Sequence, residues 1–110
     1  MGEKALSPFE TLRCAIEVLS WVTKFIGGAG AGRKEFEEPF APGETVRDVL
    51  GRFSARYPEL AQALWDASKK NLGEHIEVMV NDAVLGLSHT LDTPLKDKDR
   101  ITLVGQYMGG

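Results

Sequence analysis

Cysteine is nearly missing from this chain. Cys14 stands alone among 110 residues, so no intramolecular disulfide can form and a reducing, cytoplasmic compartment is expected. No apolar run approaches the roughly 20 residues that cross a bilayer. The opening Met1-Gly2-Glu3-Lys4-Ala5-Leu6 also lacks the long apolar stretch of a secretory leader, so no membrane partner is expected. There is no basic excess: 13 Lys and Arg face 16 Asp and Glu, for a net charge of −3, which argues against a nucleic-acid partner. No C-x-x-C or H-E-x-x-H occurs, and Cys14, His75 and His89 are widely spaced, so no metal site is expected. What remains is ordinary globular material, 43% apolar and 26% charged, enough for one compact domain and too little for two.

Residues 1–14 show no sustained period and contain Pro8, which predicts a loosely held N-terminal extension. Ile16 to Thr23 is dense in β-branched and aromatic residues and predicts a strand. Gly27-Gly28-Ala29-Gly30-Ala31-Gly32 has almost nothing to bury and reads as a flexible hairpin connection, followed by an alternating edge strand from Lys34 to Phe40. After the turn Pro42-Gly43-Glu44, Thr45 and Asp48 stand at capping-box spacing. Val46, Val49, Leu50, Phe53 and Tyr57 then form one helical stripe, with Arg47, Arg52 and Arg56 outside it. Pro58 ends that helix and opens a shorter one over residues 59–70, with Lys69 and Lys70 at its cation-favouring end and Gly73 as a left-handed stop. Strands are expected at Ile76–Val80, Ala83–Leu85 and Ile101–Val104, with a turn at Asn81-Asp82 and a polar loop from Asp92 to Asp99.

Most motifs that suggest chemistry fail on inspection. Gly27 and Gly32 have the glycine spacing that opens a P-loop, but Arg33 and Lys34 follow where lysine and then serine or threonine are required. A strand also follows where a helix is required, and no G-x-G-x-x-G fits these glycines. Ser88, His89 and Asp92 lie within five positions of a polar loop, which is ordinary turn composition. Cys14 has no histidine near it in sequence, and Trp21 and Trp65 read as core or half-core residues. The C-terminal pair is another matter. Two final glycines arise by chance about once in 80 to 100 chains of this composition, and they leave a carboxylate on a stem free of side chains. Such a tail can thread a narrow channel and reach a phosphorus atom in another protein.

The order hairpin, capped helix, hairpin-like pair, loop, final strand and tail is that of a β-grasp domain. Here the sequence resembles the MoaD/ThiS group, the ubiquitin-like sulfur carriers that include the small subunit of molybdopterin synthase. The resemblance rests on Pro42-Gly43-Glu44-Thr45-Val46-Arg47-Asp48-Val49-Leu50, Arg56-Tyr57-Pro58-Glu59-Leu60 and Val78-Met79-Val80-Asn81-Asp82, then Leu91 through Ile101 and the final Gly109-Gly110. It covers roughly residues 15–110. The implied fold class is α+β: a β-grasp with a mixed sheet of four to five strands, one main helix and a short second helix on one face. The implied organisation is an extension over 1–14, a β-grasp domain over 15–105 and a tail over 106–110.

The resemblance also implies a function. An E1-like adenylating enzyme would activate the Gly110 carboxylate, with Gly109 as the slim residue before it. A sulfur donor, a persulfide protein, would then convert the product to a thiocarboxylate. The chain would bind no cofactor, since ATP is used by the activating partner, and would itself be a carrier rather than an enzyme. Docking through the sheet face beside the tail makes Val104, Tyr107, Met108 and Leu87 the partner-binding candidates. The implied acceptor is the pterin precursor held by a molybdopterin synthase large subunit. However, Gly105-Gln106-Tyr107-Met108 lacks the two consecutive prolines that many of those small subunits carry there. The alternatives are a carrier for thiamine, cysteine or tRNA thiolation, a modifier joined through Gly110 to lysines, and a plain β-grasp interaction module.

Overall fold

A computed structural model describes residues 12–68, 70–87 and 89–105. Five strands form one mixed sheet: β1 (Leu12–Leu19), β2 (Arg33–Phe40), β3 (Ile76–Val80), β4 (Ala83–Val84) and β5 (Arg100–Gly105). Their order is β2-β1-β5-β3-β4, with β5 parallel to β1 and antiparallel to β3. The helices α1 (Val46–Ala55) and α2 (Pro58–Leu64) supply the second layer. A 3-10 helix, Ser20–Ile26, joins the layer between β1 and β2. The sheet alternates as period-two strands must, so Cys14, Ile16, Val18, Ile101, Leu103, Val78 and Val80 all turn toward the helices and are buried.

The predicted start of α1 holds at the level of single bonds. Thr45 Oγ1 accepts from Asp48 N–H at 3.2 Å, and Thr45 N–H donates to Asp48 Oδ2 at 3.0 Å, which completes the capping box. Two further amides of the first turn find partners in the polar loop. Val46 N–H donates to Thr93 O at 3.2 Å and Arg47 N–H to Leu91 O at 2.8 Å. Val46, Val49, Leu50 and Phe53 are fully buried, and Phe53 packs against Phe36 and Tyr57. The three arginines outside the stripe have specific partners. Arg56 grips the buried carboxylate of Glu38 at 2.7 and 3.2 Å, Arg52 holds Glu44 at 2.9 Å and Arg47 holds Asp92 at 2.9 Å.

Four local expectations need correction. The strand expected over Ile16–Thr23 is β1, which begins at Leu12, inside the segment assigned to the N-terminal extension, and stops at Leu19. Ser20 adopts a φ of 60° and starts the 3-10 helix, whose buried Val22, Thr23 and Ile26 face the core. β-branched density there reports burial, not an extended backbone. The connection to β2 is therefore a helix plus the glycine loop. The second helix ends at Leu64 rather than near residue 70, because Trp65 turns extended and bridges Leu72. Trp65 is tied down there by its indole N–H, which donates to Ser54 Oγ at 3.0 Å. Gly73 is not left-handed; its N–H donates to Leu64 O at 2.8 Å and closes that loop instead. The third-strand turn is as expected, with Asn81 and Asp82 at φ of 52° and 71°, the double-positive geometry of a tight hairpin.

Cys14 sits 1% exposed in β1, and its thiol is pushed up to about 12, first by burial and then by the nearby carboxylates of Glu38 and Asp99. It is held as a protonated apolar side chain. Labelling with dithionitrobenzoate at pH 8 should proceed at least about 100-fold more slowly in the native protein than in urea. Glu44 and Asp92 carry carboxyls held below their ordinary values, in each case chiefly by a hydrogen bond from the paired arginine. A lowered folded value means the stabilisation is complete above the unfolded value and disappears as pH falls through the folded one. The urea midpoint should therefore fall as pH is lowered from about 5 to about 3. In Arg52→Gln it should start lower and fall less.

Candidate functional site

The last strand lies in the middle of the sheet, paired on both flanks. Ile101 and Leu103 turn inward, so Thr102, itself buried beneath its neighbours, and half-buried Val104 turn to the opposite face, which no helix among the described residues covers. Register fixes their neighbours. Val104 stands opposite Glu77, and Thr102 stands between Glu17 and Met79, with its hydroxyl 3.4 Å from Glu17 Oε1. By the same alternation Ala15, Leu19, Met79 and Val84 share this face, all half-buried. The result is a modest apolar strip crossing β1, β5, β3 and β4. Its β1–β2 side is charged: Arg33 is paired with both Glu17 and Glu35. A half-buried apolar centre with a charged border is suited to a partner surface.

Of the candidate residues, Val104 is placed on this open face next to the end of the strand. Leu87 is 76% exposed and follows β4 at the sheet edge, so β3 and β4 separate it from β5. The structure does not gather the two into one cluster by strand order. Tyr107, Met108, Gly109 and Gly110 lie outside the described residues, immediately after β5.

Asp92 is engaged with Arg47, and His89 Nε2 lies 4.0 Å from Asp99 Oδ2, while Ser88 lies outside the described residues. Asp99 itself accepts from Asn81 Nδ2 at 3.0 Å and from Lys96 N–H at 2.9 Å, which locks the polar loop against the β3–β4 turn. In the glycine loop, Gly30 N–H donates to Thr23 Oγ1 at 3.0 Å and Gly28 N–H to Thr23 O at 2.8 Å. Those two amides serve the loop's own fold. Among the described residues no group of three or more His, Cys, Asp or Glu is placed to hold a metal ion, and no helix is long and apolar enough to cross a membrane. A groove of about 680 Å³ runs between α1 and α2, lined by Gly51, Ser54, Ala55, Ala61 and Trp65 among others, but none of its lining belongs to β5.

One neighbour of the tail was not legible in the sequence. The Trp21 indole lies directly against Gly105, the final residue of β5. A glycine at a strand end does signal close approach of another group. Nothing in a single sequence, however, pairs it with a residue more than eighty positions earlier.

Comparison with curated protein sequences gives no match. Among solved structures, SAMP1 from Haloferax volcanii is similar with a TM-score of 0.70 and 18% identity, covering 89% of this chain and 99% of that one. CysO in the BexX/CysO complex of Amycolatopsis orientalis gives 0.61 and 24%, over 86% of this chain and 99% of that one. A Pyrococcus furiosus protein described as molybdopterin converting factor, subunit 1, gives 0.61 and 16%, over 88% and 100%. These likenesses show a ubiquitin-like β-grasp fold, as expected from the sequence. The ThiS family model matches residues 26–110, well over half of the sequence and through both terminal glycines, and the chain therefore belongs to the ThiS family.

Proposed function

We propose that this chain is a sulfur carrier whose reactive group is the Gly110 carboxylate. The observation that carries the reading is the family match running through Gly109-Gly110, on a fold whose final strand is central. Five residues follow Gly105, and fully extended they reach at most about 18 Å. That suffices to put a carboxylate inside a partner's site while the β-grasp body stays on the partner's surface. Gly109 and Gly110 let the end of that stem pass a narrow channel, since neither carries a β-carbon.

The chemistry is carried out by the partners. Within an E1-like enzyme a Gly110 carboxylate oxygen attacks the α-phosphorus of ATP, and pyrophosphate leaves. The terminal sulfur of a persulfide protein then attacks the acyl carbon and expels AMP. A second thiol of the donor attacks the remaining S–S bond, closing a disulfide and releasing the thiocarboxylate. This chain contributes position, not catalysis, and binds neither ATP nor another cofactor. Val104 and the strip around it, with Tyr107, Met108 and Leu87, provide the docking contacts. The acceptor we favour is a pterin precursor held by a molybdopterin synthase large subunit, supported by the sequence resemblance and the likeness to the Pyrococcus protein. Likeness to SAMP1, a small archaeal modifier protein, supports a second reading in which Gly110 ends in an isopeptide bond to lysine.

Intact mass separates them. Incubation with ATP, the E1-like enzyme of the same organism and a persulfide donor should add about 16 Da as oxygen becomes sulfur. Gly110-linked conjugates of higher mass would support the modifier, and neither product would refute both. Val104→Asp should raise KM for adenylation about tenfold while leaving the thermal midpoint within a few degrees, since a charge is then forced into the docking face.

A further inference from the structure

We propose that Trp21 is a positioning residue: its indole walls off one side of the root of the tail and thereby sets the direction in which the reactive end is presented. The inference rests on the reading of Gly110 as the reactive group. A β-carbon built on Gly105 would collide with Trp21 Cε2 and Nε1 and lie 2.7 Å from Cζ2, far inside contact distance. These are atoms of a fused ring, not the end of a flexible chain. Gly105 shares the inward parity of Ile101 and Leu103, so the indole covers the helix-side face of the strand end. On one flank Gly105 is paired with Ile76 of β3. A chain continuing from Gly105 therefore finds the helix-side face blocked by the indole.

The wall is built, not incidental. Ser20 N–H donates to Gly32 O at 2.9 Å, joining the start of the 3-10 helix to the end of the glycine loop. Thr23, fully buried, donates to Ser20 O at 2.9 Å and accepts from Gly30 N–H at 3.0 Å. Phe25 meets the indole edge-on at 5.9 Å between ring centroids, and Lys24 Nζ lies 5.9 Å from the Trp21 ring. Ser20, Trp21, Gly30, Ala31, Gly32 and Gly105 together line a cleft of about 510 Å³ beside the tail's root. Gly27, Gly30 and Gly32 take φ of 87°, 87° and 77°, which the turns of the loop require.

A positioning role predicts a split in kinetics. Docking of the body is untouched, while the carboxylate samples more directions once the wall is gone. Trp21→Ala should lower kcat for adenylation about tenfold with KM within about twofold, and Trp21→Phe should retain at least about a third of the wild-type kcat. Gly105→Ala should lower kcat alone but add little in a Trp21→Ala background, because the methyl then has room. The readout independent of activity is the ¹⁵N order parameter of the Gln106 amide, expected to drop in Trp21→Ala and to hold in Trp21→Phe. Each variant is assayed below its measured thermal midpoint. An active wild type with Trp21→Ala unchanged in kcat and in Gln106 order overturns the inference and leaves the carrier reading standing. If wild type forms no adenylate, the carrier reading fails, and an unchanged Gln106 order parameter in Trp21→Ala overturns the wall as well.

Discussion

The pairing of β5 on both sides is the constraint on which the rest of the fold depends. A strand bonded to β1 in parallel and to β3 antiparallel is the least mobile kind of element in a sheet. It is also the last strand among the described residues, ending at Gly105. A parallel β1–β5 pair in turn requires a long crossover, and β2, the helices, β3 and β4 lie within it. Among the described residues the helical layer covers one face of the sheet, and Val104 lies on the other.

Charge is used to hold the layers in register. Glu38 lies 3% exposed on β2 and is reached by Arg52 of α1 and by Arg56 at its C-cap, so the edge strand and the main helix are joined by a carboxylate that cannot stay buried unpaired. Arg47 does the same for the polar loop through Asp92, and Asp99 ties that loop to the β3–β4 turn. The three arginines that helical periodicity places outside the apolar stripe are thus the fasteners between α1 and its surroundings. The Cys14 thiol lies near Glu38 and Asp99 and behaves as core filling.

What could be read from the sequence was local. Thr45 with Asp48 marked a helix start, and the stripe from Val46 to Phe53 marked its buried face, because capping and periodicity act over a few residues. The turn at Asn81-Asp82 was legible for the same reason. The boundary of β1 was not: Leu12 to Ala15 are held extended by partners in β2 and β5 that lie far away in sequence. Trp65 ends α2 early through a hydrogen bond to Ser54 that no helix propensity reports. Of the candidate site, the resemblance pointed to Val104, but so short a strand does not reveal from sequence alone which of its faces is covered. The Trp21–Gly105 contact depends on the full topology, so only the folded chain reveals it.

The central claim is that the chain's final carboxylate is the group an activating enzyme consumes. The most direct measurement is ATP-dependent pyrophosphate release by that enzyme, comparing this chain with a version extended by one tryptophan after Gly110. The extended chain is expected to compete for binding still but to support release at least about 100-fold more slowly, since the bulky residue cannot seat its carboxylate at the α-phosphorus. Equal rates for the two chains would contradict the claim.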